Sequence, residues 1–233
     1  MPTATESAAD FRIDPVLGGM TSPESPASPP SERPTVVAVS GSRREGSYTR
    51  TALQYALRAA ADAGAETRLL DLREYDLPVY DPDLEDTEQG DALELQRLVR
   101  EADAVALGTP VYHGSYSGAL KNFHDYCGFD EYEDTTVGLL ATAGGGSYGS
   151  TLDHLRITVR GVHGWVLPHQ VGIRNASSRI VDVENDDPDA IEGRAFAEGN
   201  ADLRDRVEKL GRMLVEYAAI EPDVSSARAD ADD

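Results

Sequence analysis

The chain has 233 residues, room for one domain of ordinary size plus tails, and its 40% hydrophobic and 27% charged residues permit a buried core and exclude a wholly disordered chain. Its 42 acidic against 21 basic residues, a net charge of -21, argue against a protein that coats nucleic acid or an anionic membrane. No apolar run approaches the roughly 18 residues of a membrane span, and the single cysteine, Cys127, has no partner for an internal disulfide.

Residues 1–33 read as a tail, because the stretch TSPESPASPPSERP from Thr21 to Pro34 is too rich in Pro, Ser and Glu to bury apolar surface. The first 20 residues lack the basic start and apolar centre of a secretory signal, so a cytoplasmic protein is expected. A domain is expected over 34–220, followed by an acidic tail over 221–233. Within the domain, Thr35–Ser40 is a β-branched run suited to a strand buried on both faces. Leu53, Ala56, Leu57 and Ala60 recur at helical spacing between Tyr48 and Ala63, and Gly64 ends that helix. Strands are predicted over 67–72, 104–108, 136–142 and 165–171, the last broken by Pro168. Helices are predicted over 91–101, 117–126, 149–160 and 200–219. Strands alternating with helices across short connections define a three-layer α/β fold, a parallel sheet covered on both faces. Five strands fit the flavodoxin-like order 2-1-3-4-5, in which ligands sit at the carboxyl ends of the strands, beside the switch point between strands 1 and 3.

The loops after strands 1, 3 and 4 are therefore the informative ones. The first, Gly41 to Thr49, offers hydroxyls on Ser42, Ser47, Tyr48 and Thr49 and guanidinium groups on Arg43 and Arg44, and it opens into a helix N-terminus. Free N–H groups, the positive end of the helix dipole and forked arginine donors suit a phosphate; the plainer reading is a turn with one Ser/Thr cap, which needs only one hydroxyl. Neither a Walker loop nor GxGxxG is present. The second loop, Thr109 to Gly118, combines Pro110 and Val111 with Tyr112, His113, Gly114 and Tyr116, flat groups that could line a planar ring or simply be half-buried. In the third, Gly144, Gly145, Gly146 and Gly149 carry a backbone-entropy cost that makes sense where the chain must approach something closely. No metal site is indicated: His124, His154 and His163 lack partners at ligand spacing.

GSRREGSYTRTAL at 41–53 resembles the GSxRxxS opening of the NADPH-dependent FMN reductase family, and TPVYHGSYSGALKNFHDY at 109–126 is similar to that family's TPxYxxSxxGxLKNxxDW signature. The resemblance covers about residues 35 to 170 and implies a flavodoxin-like domain with non-covalent FMN. It also implies reduction of a small acceptor (a flavin, quinone or azo compound) by NADPH or NADH, in a homodimer or homotetramer. By the same resemblance Ser42, Arg44, Ser47 and Thr49 hold the FMN phosphate. Pro110, Val111, Tyr112 and His113 border the isoalloxazine ring, Gly114 approaches it, and Gly144, Gly145 and Gly146 close its other edge. Arg43 is left to solvent or substrate. Thr49, Val111, His113 and Tyr126 depart from the residues frequent at those positions. Tyr112 and His113 are the candidate proton donors, with water a third; no residue is required as nucleophile. Lys121, Asn122 and Asp125 read as braces between loop and helix. A flavodoxin-type electron carrier and a flavin-free binding module on the same fold are the competing readings.

The basic residues are 19 Arg and only Lys121 and Lys209. An acid-rich, Lys-poor surface suits a cytosol of high salt, where the Debye length falls to about 3 Å and self-repulsion is screened. A halophilic protein is expected, with an acidic mesophile protein as the plainer alternative.

Overall fold

A computed structural model describes residues 33–184 and 187–218, which belong to one compact unit. The expected tails lie outside the described residues, apart from Arg33. The elements in chain order are β1 (Thr35–Ser40), α1 (Tyr48–Asp62), β2 (Glu66–Asp71), α2 (Ala92–Arg100), β3 (Ala104–Pro110), α3 (Gly118–Tyr126), α4 (Phe129–Tyr132), β4 (Thr136–Thr142), α5 (Gly149–Gly161), β5 (Trp165–Ile173), α6 (Ala176–Arg179), β6 (Ile180–Asp182), β7 (Arg194–Phe196) and α7 (Ala201–Glu216). A short 3-10 turn lies at Asp86–Glu88.

The main sheet has the order β2-β1-β3-β4-β5, and all four pairings are parallel. Residue alternation along β1 shows how the strands serve two layers. Val36 and Ala38 join Ala52, Leu53, Val207 and Leu210 in the core beneath α1 and α7. Val37 and Val39 join Leu95, Leu120, Phe123 and Leu155 in the core beneath α2, α3 and α5. Burial on both faces is why these strands read as continuous apolar runs.

Three differences from the sequence reading have local causes. β5 runs on to Ile173, because its ladder shifts register between Val137 and Leu139 of β4: Val166 pairs with Val137, and pairing resumes at Gln170. The proline, which has no N–H to donate, sits in that irregularity on an edge strand and interrupts the ladder without ending it. Between the fifth strand and the last helix, where no element was expected, the chain forms α6 and an antiparallel pair, β6 with β7. These elements are three or four residues long, too short to carry a periodic signal. α4 escaped prediction for the same reason.

Candidate functional site

The topology brings the ends of β1, β3, β4 and β5 to one edge. There a cavity of about 200 Å³ is lined by Ser42, Arg44, Ser47, Tyr48, Thr49, Pro110, Val111, Tyr112, Thr142, Ala143, Gly144, Ala176 and Ser177. In a chain of net charge -21 this lining holds no carboxylate and one guanidinium.

The floor is the loop between β1 and α1. Gly41 donates to Gly108 O at 2.8 Å, and a Cβ placed on it would lie 2.6 Å from Leu120 Cβ, so only glycine lets the loop turn this close to α3. Ser117 fixes the contact from the other side: its hydroxyl donates to Gly41 O at 2.6 Å and accepts from Leu120 N at 3.1 Å as the cap of α3. Gly46 then takes φ of +63°, which turns Ser47 into the N-cap of α1. Ser47 Oγ accepts from Arg50 N at 3.2 Å, leaving its own proton to donate. No described residue accepts from the N–H groups of Ser47, Tyr48 or Thr49, and the Arg44 side chain makes no hydrogen bond or ion pair among the described residues. The first-turn donors, hydroxyls and free cation form a donor-rich end suited to an anion. Thr49 differs from expectation: its hydroxyl shares a 2.6 Å bond with Thr142, so the pair together has one proton left for a ligand. Arg43 points elsewhere, donating to Leu72 O at 3.1 Å.

The glycine loop closes the opposite side. Asn175 N donates to Gly144 O at 2.5 Å, Ala176 N to Ala143 O at 3.0 Å, and Arg174 Nε to Gly145 O at 2.9 Å. The N–H groups of Gly144, Gly145 and Gly146 find no acceptor among the described residues. None of the three has positive φ, and a Cβ on Gly144 or Gly146 would meet nothing within 4 Å. Neither backbone conformation nor protein packing requires glycine there, and the space a side chain would take is open. Gly144 lines the cavity; Gly145 and Gly146 lie beyond it.

The β3–α3 loop supplies the wall. Pro110, Val111 and the half-exposed Tyr112 face the cavity. His113 and Gly114, expected to border a ring, do not line it. Tyr112 and Ser115 exchange backbone hydrogen bonds at 2.9 and 3.0 Å, and the two residues between them have φ of +52° and +78°. This is a turn of type I′, which requires two left-handed residues. Asparagine is frequent at such a position because it tolerates that conformation, and histidine shares the tolerance. His113→Asn is therefore expected to leave thermal stability unchanged within about 0.5 kcal/mol, whereas His113→Val should cost about 1–2 kcal/mol through a β-branched residue at positive φ. Thermal unfolding of the two variants checks this; equal stability would show that the turn conformation is not what selects the residue.

The expected bracing residues lie away from the cavity. Lys121 pairs with Asp125, while Asn122 donates to Pro78 O at 2.6 Å and accepts from Tyr80 N at 2.9 Å, pinning the loop after β2. Burial pushes the Cys127 thiol well up and the His124 imidazole down, so neither is a ready nucleophile or acid. Among the described residues no cluster of His, Cys, Asp or Glu could hold a metal ion, and no helix is long and apolar enough to cross a membrane. Thr142, Ala143, Ala176 and Ser177 were missed. The sequence carries a signal for two of them: RNASS at 174–178 follows a strand at the same sheet edge, beyond the end expected for it at Val171.

A parallel sheet of order 2-1-3-4-5 with a cleft at the carboxyl ends of its strands, beside the switch point, defines a flavodoxin-like fold. The chain belongs to the NADPH-dependent FMN reductase family, which it matches over residues 34–178. Similar proteins include an FMN-dependent NADPH-azoreductase of Staphylococcus saprophyticus, 32% identical over 146 residues (61% of this chain, 78% of that protein). Another is an NADPH azoreductase of a Bacillus species, 36% identical over 137 residues (58% and 74%). The fold is shared with an apo NADH:FMN oxidoreductase (TM-score 0.62, 21% identity, 81% and 91% covered). It is also shared with the flavoenzyme FerB, an NAD(P)H:(acceptor) oxidoreductase of Paracoccus denitrificans (TM-score 0.60, 21% identity, 79% and 97% covered).

Proposed function

We propose that this protein binds FMN in the cleft and uses NAD(P)H to reduce a small acceptor of the flavin, quinone or azo class. The observation that carries the reading is the carboxylate-free, donor-rich lining at the α1 N-terminus of an otherwise acidic chain. A dianion approaching a net charge of -21 is bound only where local donors outweigh the global field. Arg44, the Ser42 and Ser47 hydroxyls and the first N–H groups of α1 are the phosphate donors. The Thr49–Thr142 pair contributes one further proton. Pro110, Val111 and Tyr112 wall the ring, and the N–H groups of Gly144 to Gly146 edge it. FMN, when bound, supplies the hydride-accepting ring, so the residues need only bind, orient and exclude water. Tyr112, at the mouth, and water are the proton sources; His113, at its turn tip, is the more remote candidate.

The test is a visible spectrum of the purified protein followed by anaerobic titration with NADPH and with NADH. A flavin spectrum that bleaches on titration, with steady-state turnover on added acceptor, is expected. A yellow protein that oxidises neither nucleotide with any acceptor would instead be an electron carrier, and a colourless one that takes up no FMN would be a binding module.

The acid excess and the use of Arg over Lys further support a saline cytoplasm as the working environment. Unfolding temperature is expected to climb with KCl from millimolar to molar, and a salt series by circular dichroism that finds full stability without salt would reject this. Assembly as a homodimer or homotetramer accords with the family and is checked by sedimentation.

A further inference from the structure

Past residue 178, where the family match ends, the chain brings β7 and the turn before it against the first half of α1. Ile191 and Arg194 exchange backbone hydrogen bonds at 2.8 and 3.0 Å around Glu192 (φ +52°) and Gly193 (φ +74°), a second turn of type I′. A glutamate at positive φ is strained, and it is held there from α1: Arg50 forks onto the Glu192 carboxylate and Gln54 donates to it at 2.8 Å. Tyr55 adds a hydrogen bond to Asp189 O at 2.7 Å and an edge contact with Phe196. The turn thereby carries Arg194 to the back of the phosphate loop. Its guanidinium donates to Gly46 O, lies 5.0 Å over the Tyr48 ring, and is held by Asp182 at 2.7 Å. Arg194 does not line the cleft, but the residues it grips flank Ser47, which does.

We infer that Arg194 is a positioning residue for phosphate recognition, acting through Gly46 and Tyr48. This rests on the reading of the cleft as an FMN site. Gly46 is a glycine at positive φ in the middle of the loop, and an untethered loop would have to be ordered by the ligand. Arg194 fixes the loop beforehand, so that Ser47, Arg44 and the α1 N–H groups already converge. Electrostatics act the same way. The Arg194 side chain is 19% exposed and its partner Asp182 is 82% exposed, so water screens the acid more than the cation beneath the loop.

The test compares FMN with riboflavin, which lacks the phosphate, by fluorescence titration of the apoprotein in wild type, R194M and R194K, with circular dichroism as the folding check. In R194M the FMN dissociation constant is expected to rise about ten- to a hundredfold, as for loss of a charge-assisted hydrogen bond, while that for riboflavin stays within about twofold. R194K, which keeps the charge but not the fork, is expected to fall between. Unchanged FMN affinity, or parallel weakening of both flavins, would overturn the inference. If R194M does not fold, R194K decides: a rise of about threefold or more for FMN alone supports the role, and no change removes it. Wild-type apoprotein that takes up neither flavin would mark failure of the FMN reading itself, and the inference would fall with it.

Discussion

Arg44→Ala is expected to weaken FMN binding about a hundredfold, whereas Arg43→Ala should change it by less than about threefold. The two arginines are adjacent in sequence and identical in chemistry, so the contrast tests their placement. Arg44 lines the cleft and its side chain has no partner among the described residues, which leaves its guanidinium free to fork onto two phosphate oxygens. Arg43 donates to the carbonyl of Leu72 and does not line the cleft; it lines an adjoining groove beside α3 that shares Arg44 and Tyr112 with the cleft. A hydrogen bond to a charged group contributes about 1.5–3 kcal/mol, and the lost attraction for a dianion adds to it in a chain that repels anions at long range. Raising salt should shrink the difference but not abolish it, because the contact is within the screening length. Equilibrium dialysis of the two variants measures the ratio. Equal loss in both would show that the phosphate lies on the other side of the loop.

How much of this was legible beforehand follows element by element from physical size. The three central strands β1, β3 and β4 are buried almost throughout, and their apolar runs announce them, whereas the edge strands β2 and β5 carry polar residues and are buried mainly toward their ends; α1, α2 and α7 carry apolar faces over nine or more residues. Nine of the thirteen cleft residues were reachable because they lie on loops whose position follows from strand order. The failures share a cause. Thr142 and Ala143 are ordinary strand-end residues, and only tertiary pairing aims the Thr142 hydroxyl at Thr49. Ala176 and Ser177 sit on a four-residue helix whose N-cap, Asn175, is left-handed at φ of +52°, a local conformation without a periodic trace. His113 is a candidate proton donor by residue type, and its left-handed turn position, at φ of +52°, carries no trace in the sequence pattern. A residue type states which roles are possible, and backbone geometry selects among them.

Gly211→Ala should be strongly destabilising, and its effect should reach the cleft. α7 crosses α1 so closely that a Cβ on Gly211 would lie 1.9 Å from Ala56 O and 2.8 Å from Ala56 C. Both obstacles are backbone, so no side chain can swing aside and the helices must part. Helix propensity works in the opposite direction, favouring alanine over glycine by about 1 kcal/mol. Overpacking a well-filled contact costs about 1–3 kcal/mol and more where backbone must shift, so the steric effect wins. A net loss of about 2–3 kcal/mol is expected, lowering the unfolding temperature by about 4–12 °C for a domain of this size. Gly161→Ala is the control: it ends α5, a Cβ there meets nothing within 4 Å, and stability should hold or rise by up to about 1 kcal/mol. α1 begins at the phosphate loop, so parting it from α7 also shifts Tyr48 and Thr49. FMN affinity should therefore fall in Gly211→Ala even well below its unfolding temperature, and remain at the wild-type value in Gly161→Ala. A Gly211→Ala protein as stable as wild type would mean that α7 does not sit against α1 at this depth, and the rigid seat assigned to the phosphate loop would go with it.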